Sequence, residues 1–437
     1  MTAPNRPAKA RDRDARSIAA RETLRTSLWF IPLAMVGLAS LVAELLIRFD
    51  RAEHAPIFGF HGDASSAQDL LATVAASNLA MTTLVVSITM VALQLASQQF
   101  SPRVMRTFFR DSGTKVALGI FLGTTVYALL VLRVVTPEDV REPEFVPTLS
   151  VSVAFVMMLC SLGTFLYYLN HVAHAIRAVH IIDAVSAETR AAIRDSELSD
   201  DRLGPGEWPD GPAPLRLGSS KPPGAIISVD EDDLLALAAA RHLRVRIVPR
   251  VGDYVPSNAP MAEVWSDDPG TAPQLTAAEI ASFIGLGRER TMRQDVAFGF
   301  RQLVDTANKA LSPAVNDPTT AVQVLGRVHD LLRRLAVLPD LSPVRRSPDG
   351  TARLLLTVPT WDDLVALACD EIRHFGATSL HVHQRMRAML DDLEQVVGVG
   401  SPRLAALERQ RRLLDRAAER AFPDPEDLAA AHTPHAD

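Results

Sequence analysis

Between Asp69 and Arg103 the chain carries no charged residue. A helix over that run is ~50 Å long at 1.5 Å per residue, longer than the ~30 Å core of a bilayer. Three further apolar runs, Ser27–Ile47, Val116–Val135 and Phe145–Leu169, each have the ~20 residues that a spanning helix needs. The first is too long for the apolar region of a signal peptide and has no small-residue cleavage site after it. The pattern therefore predicts four transmembrane helices.

The long run is not uniformly apolar. Thr83, Ser87, Met90, Gln94 and Gln98 recur at helical spacing and share one face, and Asn78 and Thr82 form a second polar pair near its start. Polar groups at membrane depth must find partners or water. One reading is hydrogen bonding between helices, worth on average under ~1 kcal/mol per bond. The other is a water-filled path. On that reading these seven residues line a pore, and Arg103, Arg106 and Arg110 form a collar at its cytoplasmic exit.

Charge between the runs sets an orientation. Residues 1–26 are basic, with Arg6, Lys9, Arg11, Arg13, Arg16, Arg21 and Arg25, and so is the loop after the second run. The loops after the first and third runs are acidic. By the positive-inside rule both termini lie in the cytoplasm of a cell with a plasma (inner) membrane. The expected order is a basic N-terminal segment at 1–26 and a four-helix transmembrane domain at 27–170. A helical extension of the fourth span follows at 171–194. His171, His174 and His180 lie on it but lack a further metal ligand nearby, so packing is the simpler reading.

Residues 195–224 are rich in Pro and Gly and read as a linker. Beyond them the periodicity alternates between strand and helix. Ala225–Val229, Leu243–Val248 and Arg353–Val358 read as strands. Asp230, the Thr276–Glu279 capping box and Asp317-Pro318 read as helix starts. This is an α+β cytoplasmic domain at 225–421, followed by a flexible tail at 422–437. Gly252-Asp253-Tyr254-Val255 and the short strand after it are similar to half of a biotinyl/lipoyl-like barrel, without the attachment lysine. The fold class is thus membrane α-helical plus α+β.

Composition removes several function classes. The net charge of −6 over 437 residues and the lack of a basic recognition helix exclude a nucleic-acid partner. Two distant cysteines, Cys160 and Cys369, support neither a disulfide framework nor a thiolate metal site. There is no G-x-S-x-G, P-loop, H-E-x-x-H or G-x-G-x-x-G, so the reading includes no enzyme, catalytic residue, cofactor or metal.

Several segments together resemble one family. They are Ser27–Pro32, Gln98–Arg103, Leu118–Thr124, Arg250-Val251-Gly252-Asp253, Arg290 with Gln294-Asp295, Gln302–Asp305 and Ala310–Pro318. The chain resembles, over nearly its whole length, the bacterial membrane proteins catalogued as domain of unknown function 2254. The resemblance implies a membrane location and no particular activity. One departure is Thr306, where the family pattern has Ile.

The densest polar constellation is Arg288, Glu289, Arg290, Arg293, Asp295, Asp305, Asn308, Asn316 and Asp317. Arginines beside a helix start suit a small anion. Helix capping and ion pairing account for the same residues. The sequence therefore carries two functional expectations. The first is an oligomeric channel or transport-related protein with a cytoplasmic regulatory domain. Four spans without an internal repeat are small for a carrier, so several protomers in the lipid bilayer would form the path, for an ion or small anion. The second is a membrane-anchored sensor or scaffold whose cytoplasmic domain binds a small anionic ligand or a protein partner.

Overall fold

The computed structural model describes residues 29–52, 60–99, 112–137, 145–175, 177–197, 208, 213–268, 271–292, 294–340 and 342–434. They fall in two compact units, a helical one up to Ile181 and an α+β one from Ile182 onward.

The helical unit holds α1 (Phe30–Ala52), α2 (Ala64–Gln99), α3 (Ser112–Leu132) and α4 (Thr148–Ala175). All four are long and apolar enough to cross a membrane. Small residues let them approach closely. Ala39 and Ala43 of α1, Ala67 and Ala75 of α2, Ala128 of α3 and Ala154 of α4 are buried in one apolar cluster. A Cβ on Gly123 would already touch Ala39 Cβ at 3.4 Å. Polar groups inside this packing find partners. Tyr127 Oη donates to Ser150 O at 3.0 Å, and Tyr168 Oη to Val85 O at 3.0 Å. The Asp50 carboxylate at the end of α1 accepts from Leu149 N, Ser150 N and Ser150 Oγ, capping the first turn of α4. Large apolar side chains such as Leu33, Leu41, Leu84, Phe155 and Leu166 stay exposed, a surface suited to lipid rather than water.

The pattern past Leu169 is helical on both sides of residue 176, as two helices. Residue Ala175 closes α4, and α5 (Ala178–Glu197) begins after Arg177 N donates to His174 O at 3.1 Å.

In the α+β unit one sheet has five strands, in the order β1 (Leu215–Gly218), β5 (Pro260–Ser266), β3 (Leu243–Ile247), β8 (Ala352–Leu355) and β7 (Val344–Arg346). Its pairs are antiparallel except β3–β8, which is parallel. A second sheet runs β4 (Tyr254–Val255), β2 (Gly224–Val229), β6 (Ile284–Gly287), all antiparallel. Alternating residues of β3 bury Leu243, Val245 and Ile247 against α6 (Glu231–Ala240), α7 (Ala277–Ser282) and the second sheet. The remaining helices are α8 (Val296–Ala310), α9 (Pro318–Val337), α10 (Trp361–Phe375), α11 (Leu380–Val397), α12 (Leu404–Ala421) and α13 (Pro425–Ala431). Their starts follow capping chemistry. Asp230, Asp295 and Asp317 each accept from the backbone of the N3 residue, and Thr276 and Thr360 head complete capping boxes.

Four elements depart from the sequence expectation. The stretch read as a linker at 195–224 contains β1, only four residues long and paired along β5. Ile284-Gly285-Leu286-Gly287 is a strand despite its two glycines. A Cβ on Gly285 or Gly287 would press on Ile227 or Ser228 of β2, so the absence of side chains allows the pairing. Val344–Arg346, outside the strands read from the sequence, pairs with β8. The tail at 422–437 contains α13, with Asp424 as N-cap, Pro425 at N1 and Ala431 fully buried. The barrel likeness also fails: β4 joins the smaller sheet and β5 the larger one.

Candidate functional site

A cleft of about 470 Å³ opens in the α+β unit. It is walled by the end of β2, the 249–253 loop, the segment 290–297, residues 356–359 after β8, and Ala192 and Asp195 of α5. Its size is in the range of small-molecule sites.

Asp295 is the buried anchor, its side chain only 3% exposed. It is the N-cap of α8. Oδ1 accepts from Phe298 N at 3.0 Å, and Oδ2 accepts from Arg290 Nε at 3.0 Å and Nη2 at 2.8 Å. Burial pushes this carboxyl above its ordinary value, against the pull of Arg290. The Arg290 guanidinium also lies 5.0 Å from the centre of the Phe298 ring. Two further contacts fasten the cleft to β2. Gln294 clamps Val229, with Oε1 accepting from its N–H at 2.9 Å and Nε2 donating to its C=O at 3.1 Å. Gly252 N donates to Ile226 O at 2.8 Å, and Ile226 N donates to Asp253 O at 3.0 Å. The 250–253 turn is closed by Asp253 Oδ2, which accepts from Arg250 N at 2.9 Å.

Three more arginines line the cleft, each tied to a carboxylate. Arg345, with an 8% exposed side chain, donates from Nε to Glu231 Oε2 at 2.7 Å and from Nη1 to Ser342 O at 2.6 Å. Arg250 Nη1 reaches Asp363 Oδ2 at 3.2 Å, and its side chain stays 43% exposed. Arg301 pairs with Asp305 through Nε at 2.6 Å and with both Glu371 oxygens at 2.5 Å. The Glu371 hydrogen bonds hold that guanidinium above its ordinary value. Between the charged groups the walls are apolar, with Ile247, Val251, Val296, Leu356, Val358 and Leu367. Asp195 and Asp253 also line the cleft, are exposed, and form no ion pair among the described residues. No three His, Cys, Asp or Glu side chains among the described residues are grouped to hold a metal.

The polar constellation expected from the sequence is divided. Arg290 and Asp295 are in the cleft. Asp305 and Asn308 belong to the Arg301 network, where Asn308 Nδ2 donates to Glu371 Oε2 at 2.5 Å. Asp317 caps α9, and Asn316 forms the preceding turn with φ of 50°. Arg288 is exposed outside the cleft lining, and Arg293 lies outside the described residues.

On α2, Asn78 is fully buried and donates to Val74 O at 3.0 Å, while its Oδ1 has no hydrogen-bond partner. Thr82 Oγ1 donates to Asn78 O at 2.8 Å, and Thr83 Oγ1 to Leu79 O at 3.1 Å. Thr83, Ser87, Met90 and Gln94 face outward, exposed. The side chain of Gln98 and all of Arg103, Arg106 and Arg110 lie outside the described residues.

A family model described as "Predicted membrane protein (DUF2254)" matches residues 25–392. The chain belongs to this family. It is also 32% identical over 423 residues to uncharacterised proteins of Mycobacterium bovis and of Mycobacterium tuberculosis strain H37Rv, covering 93% of this chain and 79% of each relative. No solved structure matches it. In this member of DUF2254, two of the segments that carry the resemblance, Arg250–Asp253 and Arg290 with Gln294-Asp295, meet at the cleft although about forty residues separate them. Arg301, Arg345, Glu231 and Glu371 lie outside those segments. In the sequence Glu231 belongs to an acidic run at a helix start, Arg345 to a polar stretch around Pro343 and Pro348, and Arg301 and Glu371 are charges in helical stretches, which surface ion pairs produce as readily.

Proposed function

We propose that this DUF2254 protein is a membrane-anchored sensor. It spans the plasma membrane four times with both termini cytoplasmic, and its α+β domain takes a small ligand in the cleft. The observation that carries this reading is the composition of the cleft wall. The turn, arginine and N-cap named above meet there with Ala192 and Asp195 of α5. In sequence α5 directly follows the last candidate span. A ligand that touches α5 changes the stability of the segment joined to the membrane helices, which is the physical requirement for coupling. Thermal-shift screening of the full chain in detergent against a metabolite library tests it. The expected result is a compound that raises the melting temperature of the wild type and has no effect on Ala297→Trp, which fills the cleft. A library without a single stabilising compound, together with no captured cytoplasmic partner, counts against the sensor.

One observation supports the channel reading as the alternative. Thr83, Ser87, Met90 and Gln94 are exposed along one face of α2, and several copies arranged about an axis would enclose that row. Gln94→Leu and Ser87→Leu then reduce ion flux into liposomes with assembly intact. Equal flux from both variants and the wild type removes these residues from any pore.

A further inference from the structure

The cleft also constrains what its ligand is, given the sensor reading above. A plain anion is a poor match. Arg250, Arg290, Arg301 and Arg345 are each already held by a carboxylate: Asp363, Asp295, Asp305 with Glu371, and Glu231. An anion entering the cleft meets the two carboxylates that have no counter-ion among the described residues, Asp195 and Asp253. A bare cation matches those two carboxylates but leaves the remaining N–H groups of Arg250, of which only Nη1 is engaged, without an acceptor. The same walls carry the apolar side chains Val251, Val296, Leu356 and Val358. A ligand complementary to all three features carries a positive group, a negative group and an apolar body.

We infer that the cleft binds a small zwitterion of the free amino-acid class. Asp253 and Asp195 receive its ammonium group. The half-exposed Arg250, of which only Nη1 is engaged with Asp363, receives its carboxylate through the remaining N–H groups. The apolar side chain lies against Val251, Val296, Leu356 and Val358. The two carboxylates without a counter-ion and the free N–H groups of Arg250 set the class: removal of either charge from the ligand leaves one of these groups desolvated and unmatched.

The test uses the full chain in detergent and reads melting temperature and affinity. The probes are the free L-amino acids, the N-acetyl and amide derivatives of the best of them, and inorganic phosphate. The expected result is stabilisation by at least one amino acid with an apolar side chain, and a loss of about tenfold or more in affinity for each single-charge derivative. Asp195→Asn, which removes no hydrogen bond among the described residues, weakens the free amino acid by a similar factor and leaves the unliganded melting temperature unchanged. Equal stabilisation by the N-acetyl derivative or by phosphate overturns the zwitterion assignment. So does stabilisation by some other library compound with none from any amino acid, and in both cases the sensor reading stands. No stabilisation by any compound, the metabolite library included, removes the zwitterion assignment, and together with no captured cytoplasmic partner it removes the sensor reading as well.

Discussion

Gly252 stands against the Asp295 carboxylate with its backbone at φ 97°, so that a Cβ there would lie 2.7 Å from Arg290 Nε, 2.8 Å from Arg290 Nη2 and closer still to Asp295 Oδ2. Two requirements coincide at this residue. The left-handed backbone closes the 250–253 turn, and the missing side chain leaves room for a buried ion pair. Gly252→Ala violates both. The expected loss is about 3 kcal/mol, a fall in melting temperature of roughly 6–12 °C for a unit of this size. An alanine variant that melts with the wild type shows that the turn and the ion pair do not meet in this way.

The Arg290–Asp295 pair itself is a desolvated unit, and its halves are not equivalent to its whole. Arg290→Ala leaves a buried carboxylate without its cation, with an expected cost of about 3–5 kcal/mol. The double variant Arg290→Met with Asp295→Asn keeps the helix cap and removes both charges, and recovers most of that loss. The pH dependence has a definite sign. Burial already raises the Asp295 carboxyl above its ordinary value, so the folded state takes up that proton more readily than the unfolded chain. The deficit of Arg290→Ala therefore shrinks as pH falls, because the neutral acid needs no cation. Denaturant midpoints of the three proteins at neutral and mildly acidic pH measure this. A deficit that grows on acidification contradicts it.

The elements that the sequence disclosed and those it hid differ in one physical respect. The apolar helices and the capped starts at Asp230, Thr276 and Asp317 are local signals, carried by residues within a few positions of each other. The strands β1, β6 and β7 are short edge or glycine-containing strands that exist only because β5, β2 and β8 lie beside them. The cleft behaves in the same way. Asp295 was legible as part of a polar constellation with arginines nearby. That Gly252 would lie over it, or that Arg345 would reach Glu231 from more than a hundred residues away, depends on the long-range packing of two sheets. The expected single cluster from Arg288 to Asp317 failed for a related reason. A fifteen-residue helix, α8, separates its first half from its second, so Asn316 and Asp317 belong to the far end of that helix.

His329 supplies a second pH signature, away from the cleft lining. Arg385 Nη2 lies 3.0 Å from its Nδ1, and since a guanidinium only donates, Nδ1 is the acceptor and the proton is on Nε2, 2.8 Å from Asp392 Oδ2. Arg333 grips the same carboxylate. Burial, with Arg385 and Arg333 opposing further positive charge, lowers His329 from its ordinary value of 6.5, and Asp392 only partly offsets this. Below pH 6.5 the unfolded chain thus binds a proton that the folded chain refuses, and stability falls as the solution is acidified through that window. His329→Gln retains an acceptor and a donor but cannot titrate. Its midpoint falls less steeply with acidification than that of the wild type. His383, also lowered by burial, keeps part of the slope. Parallel slopes for the two proteins rule out His329 as a contributor.

Gly299 and Thr189 mark where α5 crosses α8. A Cβ on Gly299 would lie 2.7 Å from Thr189 Cγ2 and 2.8 Å from Thr189 Cβ, so Gly299→Ala must push the helices apart. Two ion pairs join α5 to α9, Arg190–Asp330 at 2.8 Å and Arg327–Asp183 at 2.6 Å, but they are half-exposed and hold α5 weakly. The expected cost of Gly299→Ala is about 1–3 kcal/mol, as for other overpacked sites. Thr189→Ala cannot rescue it, because the obstructing Cβ remains, whereas Thr189→Gly relieves the contact at the cost of helix propensity. The ligand response separates packing from function. Ala192 and Asp195 lie within two turns of Thr189 and face the cleft. A displaced α5 therefore weakens the stabilisation by ligand in Gly299→Ala and restores it in the Gly299→Ala/Thr189→Gly pair. If the single variant loses stability but keeps the full ligand response, α5 is a support for the domain and takes no part in reading the cleft.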